Sequence, residues 1–271
     1  ALGLTGTLLL ASCASNEPAG NDSSDAPEST LSGELNASGA SSQTAAQEAW
    51  VAGFQEANTG VTVNYNPTGS GTGRDNFLAG TSEFIGSDRA FDDEEVAAGG
   101  FASCASDEIV ELPLYISPVA VVFNIEGIDT LNLDAATIAG IFAGTITNWN
   151  APEIAALNDG VELPDLAISP VHRSDPSGTQ ETFTKYLSAT AGDIWTYEPA
   201  DVWPIEGGEA AQGTSGVVQA ITAGNGAIGF ADASQVGDLG QVHVGVGGDF
   251  VAYSAEAAAA LVEGSPLVEG R

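Results

Sequence analysis

Residues 172–183 read HRSDPSGTQETF, which places an arginine beside glycine and hydroxyl residues where a strand gives way to a helix. The preceding run, DLAISPVH at residues 165–172, has the β-branched content and the length of a strand. Ser177 followed by Gln180 is a capping-box pattern, which marks the start of a helix. The residues predicted on the buried side of that helix are Phe183, Tyr186 and Leu187.

Strands and helices alternate in the same way along most of the chain. Further strands are predicted at residues 60–66 (GVTVNYN), 108–116 (EIVELPLYI), 119–124 (VAVVFN) and 226–231 (GAIGFA). Helices are predicted at residues 41–54 and 134–142. One face of the first carries Ala46, Trp50 and Phe54, and one face of the second carries Ile138, Ile141 and Phe142. This alternation predicts an α/β protein with largely parallel sheets.

The composition excludes one class of partner. The chain has 271 residues, enough for one large domain or two lobes, and it sets 5 Lys and Arg against 37 Asp and Glu, a formal net charge of -32. Binding to the phosphate backbone of nucleic acid requires a cationic face, which five scattered basic residues cannot form. We therefore predict no nucleic-acid partner. The acidity favours solubility, as in a salty or alkaline setting.

The N-terminal residues have the pattern of a secretion signal. Residues 2–12 (LGLTGTLLLAS) are apolar and small, too few to span a membrane well, and they lead directly into Cys13. Leu10-Ala11-Ser12-Cys13 resembles the lipobox of bacterial lipoproteins, which implies that Cys13 carries the lipid; the alternative is an ordinary cysteine after an apolar segment. The chain is then expected to start inside its signal peptide. Cys104 is left free, or pairs with a cysteine beyond Arg271.

Four short segments share the chemistry of an anion site. They read NASGASSQ (36–43), TGSGTGRDNF (68–77), IGSDRAF (85–91) and HRSDPSGTQ (172–180), each with glycine and hydroxyls before a predicted helix. Such a junction exposes unpaired N–H groups at the positive end of the helix dipole. Each segment alone is better explained as an ordinary helix cap, but four in one chain indicate an anion site.

These four segments, in this order, resemble those of the phosphate-binding proteins of bacterial phosphate ABC importers. Residues 145–179 and 203–232 share the resemblance, which covers about residues 31–262. It implies an α/β, two-lobed, periplasmic-binding-protein-like fold of class II that closes like a flytrap over one inorganic phosphate. It also implies delivery of that phosphate outside the cell to the permease subunits of an ABC transporter.

The resemblance carries the family's phosphate ligands to eight positions of this sequence. The first loop has Ser41-Ser42 where the family more commonly has Thr-Phe. The full set implied is Ser41, Ser42, Ser70, Asp88, Arg173, Ser177, Gly178 and Thr179.

The resemblance also implies a division of the chain. Residues 1–13 are the remnant of a signal peptide, 14–30 a flexible tether, 31–115 the first lobe, 116–240 the second lobe, and 241–271 the end of the second lobe or a crossover towards the first. Family members continue past the position of Arg271, so the C-terminal return to the first lobe is expected to be missing. We expect a monomer held at the outer face of the cell membrane by its lipid, with no cofactor and no metal.

The chemistry of two residues fits this interpretation. Arg173 offers a planar fork of donors for two phosphate oxygens, and Asp175 is either the residue that orients this fork or a turn residue. Asp88 accepts a hydrogen bond from a protonated phosphate and repels sulfate, which has no proton near neutral pH. The alternatives for Asp88 are the cap of a helix beginning near Asp92, or a partner for Arg89.

Other interpretations are weaker. GNGAIG at residues 224–229 fits a dinucleotide motif, but it leads from a helix into a strand, the reverse of the required order. A hydrolase triad of His172, Asp175 and Ser177 would crowd all its members into one loop. The rival functions are a phosphate-handling hydrolase, and a binding protein or sensor for another oxyanion.

Trp149, Trp195 and Trp203 are expected in packing, and Arg74 at the surface or the cleft rim.

Overall fold

The structure is a computed structural model that describes residues 29–106 and 108–265. It contains two β-sheets, each with its own helices, which we call the first and second lobes. The strands are β1 (Ser32–Gly39), β2 (Gly60–Asn66), β3 (Phe84–Gly86), β4 (Val119–Asn124), β5 (Thr130–Leu133), β6 (Ser169–Arg173), β7 (Glu209–Ala211), β8 (Ala227–Asp232), β9 (Gly240–Val246) and β10 (Asp249–Val251). The helices are α1 (Thr44–Ala57), α2 (Ser70–Leu78), α3 (Asp93–Ala98), α4 (Ala135–Phe142), α5 (Pro152–Ala155), α6 (Gly178–Thr190), α7 (Gly213–Ala223) and α8 (Ala255–Glu263).

The first lobe is built on a parallel sheet in the order β2-β1-β3. Its central strand, β1, is buried only at its C-terminal end, where Ser38 and Gly39 pair with Ile85 and Gly86 of β3. A short 3₁₀ turn at Ser41–Gln43 then leads into α1. Parallel strands bring their C-terminal ends to the same edge, so the loops that follow β1, β2 and β3 lie together.

The second lobe holds the larger hydrophobic core. Its sheet has the order β10-β9-β4-β8-β6-β7, with β5 beside β9. β8 is buried along its whole length and pairs antiparallel with β4 and parallel with β6. An aromatic cluster covers it, in which the ring of Phe230 stacks on that of Phe183 at 4.1 Å and contacts Phe142 and Trp203. The α/β class is therefore confirmed, but only the first sheet is wholly parallel.

Several expectations about single elements are met. Asp134 caps α4, and Ile138, Ile141 and Phe142 are all buried. The tryptophans expected in packing are Trp149, Trp195 and Trp203, and each lies in or against the large core. Phe183 and Leu187 of α6 are buried there, with Tyr186 packed against them.

Residues 108–116 form no strand, contrary to the prediction. The backbone pairs with none of the described strands, and most of its apolar side chains are exposed, with Val110 82% and Leu114 69% exposed. Its alternating pattern fits a strand, but a strand forms only where another offers its hydrogen bonds. The predicted strand at 165–172 is likewise shorter, since β6 begins at Ser169.

The apolar face predicted for α1 is also not a core face. Trp50 is 40% and Phe54 41% exposed. Leu112, Leu114 and Tyr115 line a hollow together with these two rings. The spacing of the apolar residues is therefore helical as predicted, but in this structure the face is only half covered.

The cysteines and the apolar helices have the following positions in the structure. Cys104 is a free cysteine of intermediate exposure, while Cys13 and residues 14–28 of the tether lie outside the described residues. Among the residues described, none belongs to a helix with both the length and the hydropathy to cross a membrane.

The core of the second lobe gives a matched test. Leu133 is 0% and Leu261 73% exposed. We expect Leu133→Ala to lower the free energy of unfolding by about 2–5 kcal/mol, because it removes apolar contacts and leaves a cavity. Leu261→Ala, the same chemical change at an exposed site, is expected to change it by less than about 0.5 kcal/mol. Urea unfolding followed by circular dichroism measures both, and equal effects would contradict this assignment of the core.

Candidate functional site

The four glycine- and hydroxyl-rich segments meet between the two lobes. Three of them follow β1, β2 and β3 in the first lobe, and the fourth follows β6 and starts α6 in the second. The side chains nearly removed from solvent are Ser41, Ser42, Ser70, Arg173, Ser177 and Thr179. The structure therefore brings together all eight positions named from the sequence.

Asp88 lies at the centre of the contacts between these segments. Its Oδ1 accepts from the Ser42 hydroxyl at 2.5 Å, and its Oδ2 accepts from the Thr179 hydroxyl of the other lobe at 2.8 Å. Its backbone N–H donates to the Ser70 hydroxyl at 3.2 Å. Asp88 itself is exposed, because a cavity of about 820 Å³ opens beside it between the lobes. Of its alternatives, the helix-cap role belongs to Asp92, since α3 begins at Asp93.

Arg173 is held in place by Asp175, two residues later in the chain. Its Nε donates to Asp175 Oδ1 at 2.8 Å, and its Nη2 pairs with Asp175 Oδ2. Asp175 Oδ1 also accepts from the backbone N–H of Gly213, at the start of α7. Asp175 is therefore the residue that orients the guanidinium group of Arg173. The side chain of Arg173 is 3% exposed.

The start of α6 has only one of the two hydrogen bonds of a capping box. Ser177 caps the helix by accepting from the N–H of Gln180 at 3.2 Å, but the side chain of Gln180 does not return that bond. It accepts from the N–H of Arg173 and donates to the carbonyl of Asp201. The N–H of Ser177 already donates to the carbonyl of Asp201, so it does not need the side chain of Gln180. That side chain instead links β6 to α6 by accepting from the N–H of Arg173.

The lobes approach most closely where glycines lie. A methyl group at Gly178 would be 2.6 Å from Cβ of Asp88 and 2.9 Å from the Ser70 hydroxyl. One at Gly71 would be 2.5 Å from Cβ of Pro176. The N–H of Gly71 donates across this contact to the Pro176 carbonyl at 3.3 Å. The glycines of GSGTG and of PSGT thus serve close packing between the lobes.

Two residues of the site were not predicted. The hydroxyl of Thr214 lies 3.1 Å from that of Ser41, and its N–H donates to the same oxygen at 3.0 Å. Gln235 donates from Nε2 to the carbonyls of Ser41 and Ser42, both at 2.9 Å. The GTSG sequence at residues 213–216 resembles the four segments in style and was a usable signal for Thr214. Nothing local marks Gln235, whose role depends on the position of the other lobe.

Arg74 is buried, contrary to the expectation of a surface or rim residue. It is 4% exposed and donates to the Ser87 hydroxyl at 3.1 Å and to Asp201 of the other lobe at 3.2 Å. Its burial depends on residues far away in the chain, which a local pattern cannot reveal.

Arg89 pairs with Glu95 at 2.7 Å and with Glu181 at 3.2 Å, not with Asp88. The hydrogen bond with Glu95 raises the pKa of Arg89 and lowers the pKa of Glu95. The hydroxyl of Tyr65 donates to the Ala40 carbonyl of the first loop at 2.9 Å, and burial together with the nearby Asp88 charge raises the pKa of this phenol. Both effects keep these groups in their ordinary charge states near neutral pH.

The hydrolase triad is not assembled. The ring of His172 stacks on Trp203 at 4.8 Å, and its nitrogens lie 3.0 Å and 3.1 Å from the carbonyl oxygens of Arg173 and Gly207. Ser177 accepts a helix-cap bond instead of facing the imidazole.

Comparison with known proteins decides the family. Residues 24–267 match the model of the PBP superfamily domain. The chain is 33% identical over 276 residues to phosphate-binding protein PstS 2 of Mycobacterium tuberculosis, an alignment that covers 97% of this chain and 73% of that protein. The chain belongs to the PstS family. With PstS 3 of the same organism the identity is 35% over 238 residues, 86% of this chain and 64% of the other.

Solved structures agree on the fold. The TM-score is 0.68 against a high-affinity periplasmic phosphate-binding protein (PfluDING) bound with phosphate, with 22% identity over 87% of this chain and 69% of that chain. Against a human phosphate-binding apolipoprotein it is 0.63, with 23% identity over 86% and 69% of the two chains. The two-lobed binding-protein fold is thereby confirmed. The expectation of a binding protein is confirmed by the family, since residues 24–267 match the PBP superfamily domain and the chain belongs to the PstS family.

The glycine contact between the lobes gives a structural test. We expect Gly178→Ala to hold the lobes apart, because its methyl group would overlap Asp88 and Ser70. Small-angle X-ray scattering should then show a larger radius of gyration than for the wild type. Gly53→Ala, in α1, is the control, since no atom lies within 4 Å of the added methyl group there. An unchanged radius in Gly178→Ala would mean that the lobes do not meet as described.

Proposed function

We propose that this chain binds one inorganic phosphate in the cleft between its lobes and delivers it, outside the cell, to the permease of an ABC importer. The observation that carries the proposal is the meeting of three of the four segments at Asp88 of the fourth, with the hydroxyls of Ser42 and Thr179 reaching its carboxylate from opposite lobes. The relatives named for phosphate binding support the choice of ligand.

The proposed ligands are those carried over from the sequence. Arg173 supplies positive charge from a fork that Asp175 fixes, and the start of α6 supplies the N–H groups of Gly178 and Thr179. Ser41, Ser70, Ser177 and Thr179 add hydroxyls without adding charge, and Ser42 adds its backbone N–H. Hydrogen bonds to a charged ligand contribute about 1.5–3 kcal/mol each, so five or six reach the roughly 8 kcal/mol of micromolar affinity.

Binding requires these donors to exchange partners. The hydroxyls of Ser42 and Thr179 donate to Asp88, and the hydroxyl of Ser41 bonds with Thr214. Phosphate would accept from the same hydroxyls and would donate its own proton to Asp88 in their place. The carboxylate exchanges two accepted hydrogen bonds for one, but both released hydroxyls bond to the phosphate, so no donor is left unpaired and the exchange has a low cost.

Asp88 is the proposed selectivity residue. Phosphate near neutral pH retains a proton to donate to this carboxylate, whereas sulfate retains none and meets it as an unpaired like charge. The remaining ligands, including Arg173, treat the two anions alike. The selectivity therefore depends on one carboxylate.

Isothermal titration with phosphate, arsenate and sulfate tests this proposal. We expect the wild type to bind phosphate and arsenate, which both carry a proton, and to bind sulfate at least about tenfold more weakly, since an unmade charged hydrogen bond costs about 1.5–3 kcal/mol. Asp88→Asn should weaken phosphate binding and reduce the ratio of phosphate to sulfate affinity at least about tenfold.

Asp92→Asn is the matched control, since it removes an equal charge from the cap of α3 four positions away. It should leave the affinity ratio unchanged. Unaltered selectivity in Asp88→Asn would refute the role of Asp88, and a wild type that prefers sulfate would favour a binding protein for another oxyanion.

The proposed placement of the protein is at the outer face of the cell membrane, as a monomer anchored through lipid on Cys13. The lipobox-like residues before Cys13 support the lipid anchor, and the polar composition of residues 14–30 supports a flexible tether. The division into lobes at residues 31–115 and 116–240, with 241–271 continuing the second lobe or crossing towards the first, remains part of the proposal. The site itself uses residues of one chain, which supports a monomer.

Expression of the chain behind a complete lipoprotein signal peptide tests the anchor. We expect the wild type in the membrane fraction with incorporated labelled palmitate, and Cys13→Ala without label and released from the membrane. Cys104→Ala is the control and should keep its label. Label retained in Cys13→Ala would contradict the assignment.

A further inference from the structure

Cations are scarce in this protein, yet most of them lie where the lobes meet. Within residues 29–106 and 108–265 the cationic side chains are Arg74, Arg89, Arg173 and Lys185, and only Lys185 is exposed. Arg173 is paired within its own lobe by Asp175. Arg74 and Arg89 belong to the first lobe, and neither contacts the proposed phosphate ligands through its charge.

Both arginines pair with carboxylates of the second lobe. Arg74 Nη2 lies 3.2 Å from Asp201 Oδ2, and Arg89 Nε lies 3.2 Å from Glu181 Oε2. The side chain of Arg74 is 5% exposed and that of Asp201 31%, whereas those of Arg89 and Glu181 are both 28% exposed. The first pair is therefore the more strongly removed from solvent.

Glu95 links the two arginines on the side of the first lobe. It accepts from Arg89 at 2.7 Å and lies 3.9 Å from Arg74 Nε. It also completes the capping box of α3 with Asp92, which fixes its position. The first lobe thus presents two positive charges and one negative charge to a pair of carboxylates on the second, which is a complementary arrangement.

These pairs lie on both sides of Asp88. Arg74 donates to Ser87, the residue before Asp88, and Arg89 is the residue after it. On the other lobe, Glu181 lies two residues beyond Thr179, and the carbonyl of Asp201 accepts from Ser177. The ion pairs therefore lie at the same contact between the lobes at which Asp88 meets the start of α6.

We propose that Arg74–Asp201 and Arg89–Glu181 form an ionic latch between the lobes, which sets the affinity for the ligand by stabilising the closed arrangement. The latch rests on the proposed function for its effect on phosphate, although its effect on closure does not. A ligand that binds only the closed form has an apparent affinity reduced by the fraction of molecules that are open. Any contact made only on closure therefore tightens binding without touching the ligand.

The sign of the effect separates a latch from general electrostatics. In a protein of net charge -32, removing a carboxylate near an anion site should strengthen anion binding through reduced repulsion. Neutralising a latch carboxylate should do the opposite. Asp201→Asn leaves Arg74 buried in the closed form without its carboxylate from the second lobe and with only the more distant Glu95, whereas opening allows water to reach it.

The first experiment needs no ligand. We expect Asp201→Asn to show a larger radius of gyration than the wild type in small-angle X-ray scattering, because the open form gains population. Asp193→Asn, the same change at an exposed residue of the second lobe, should match the wild type. Equal radii for Asp201→Asn and the wild type would overturn the latch, whatever the protein binds.

The second experiment is isothermal titration with inorganic phosphate. We expect Asp201→Asn to weaken binding about tenfold and Glu181→Gln about threefold, because the second pair is the more exposed. Asp193→Asn and Glu198→Gln should bind as well as the wild type or slightly better. Tighter binding in the two latch variants would also overturn the proposal.

A double-mutant cycle guards against an indirect effect. Arg89→Gln with Glu181→Gln should weaken phosphate binding no more than Arg89→Gln alone, because Arg89→Gln already removes the contact with Glu181 together with the one to Glu95. Fully additive losses would mean that the two side chains act separately. If the wild type binds no phosphate, the proposed function fails, while the scattering experiment still decides the latch.

Discussion

The hydroxyls of Ser42 and Thr179 donate to the two oxygens of one carboxylate, Asp88, from opposite sides of the cleft. This arrangement requires the two lobes to come within contact distance. The start of α6 can reach Asp88 only because Gly178 has no side chain. The glycines of the first lobe serve the same purpose, since Gly71 packs on Pro176. The hydrogen bonds between the lobes at Thr214 and Gln235 also depend on this close contact.

Much of this arrangement could be predicted from the sequence, because the signals are local. A hydroxyl or acidic residue before an apolar helical pattern marked the starts of α4 and α6. The β-branched runs marked β2, β4 and β8. The eight site positions came from a resemblance to a family, and the structure brings their segments together.

The failures have a common physical cause, which is dependence on distant residues. Strand β1 contains few β-branched residues, and it is a strand because β2 and β3 pair with both of its edges. Residues 108–116 have a strand-like pattern but pair with none of the described strands. The position of Arg74 is decided by Asp201, which is 127 residues away in the chain. Short-range patterns carry no information about such contacts.

The pairing of Arg173 with Asp175 has a consequence for the speed of ligand capture. The guanidinium is charged, but its partner cancels that charge at distances longer than the pair itself. An approaching dianion therefore meets the field of the whole protein, whose net charge is -32, before it reaches any donor. Dissolved ions shorten the reach of that repulsion to about 8 Å at physiological ionic strength. Association should thus become faster as salt is added, which is the reverse of electrostatic steering. The cleft is therefore suited to collecting its ligand at high salt concentration.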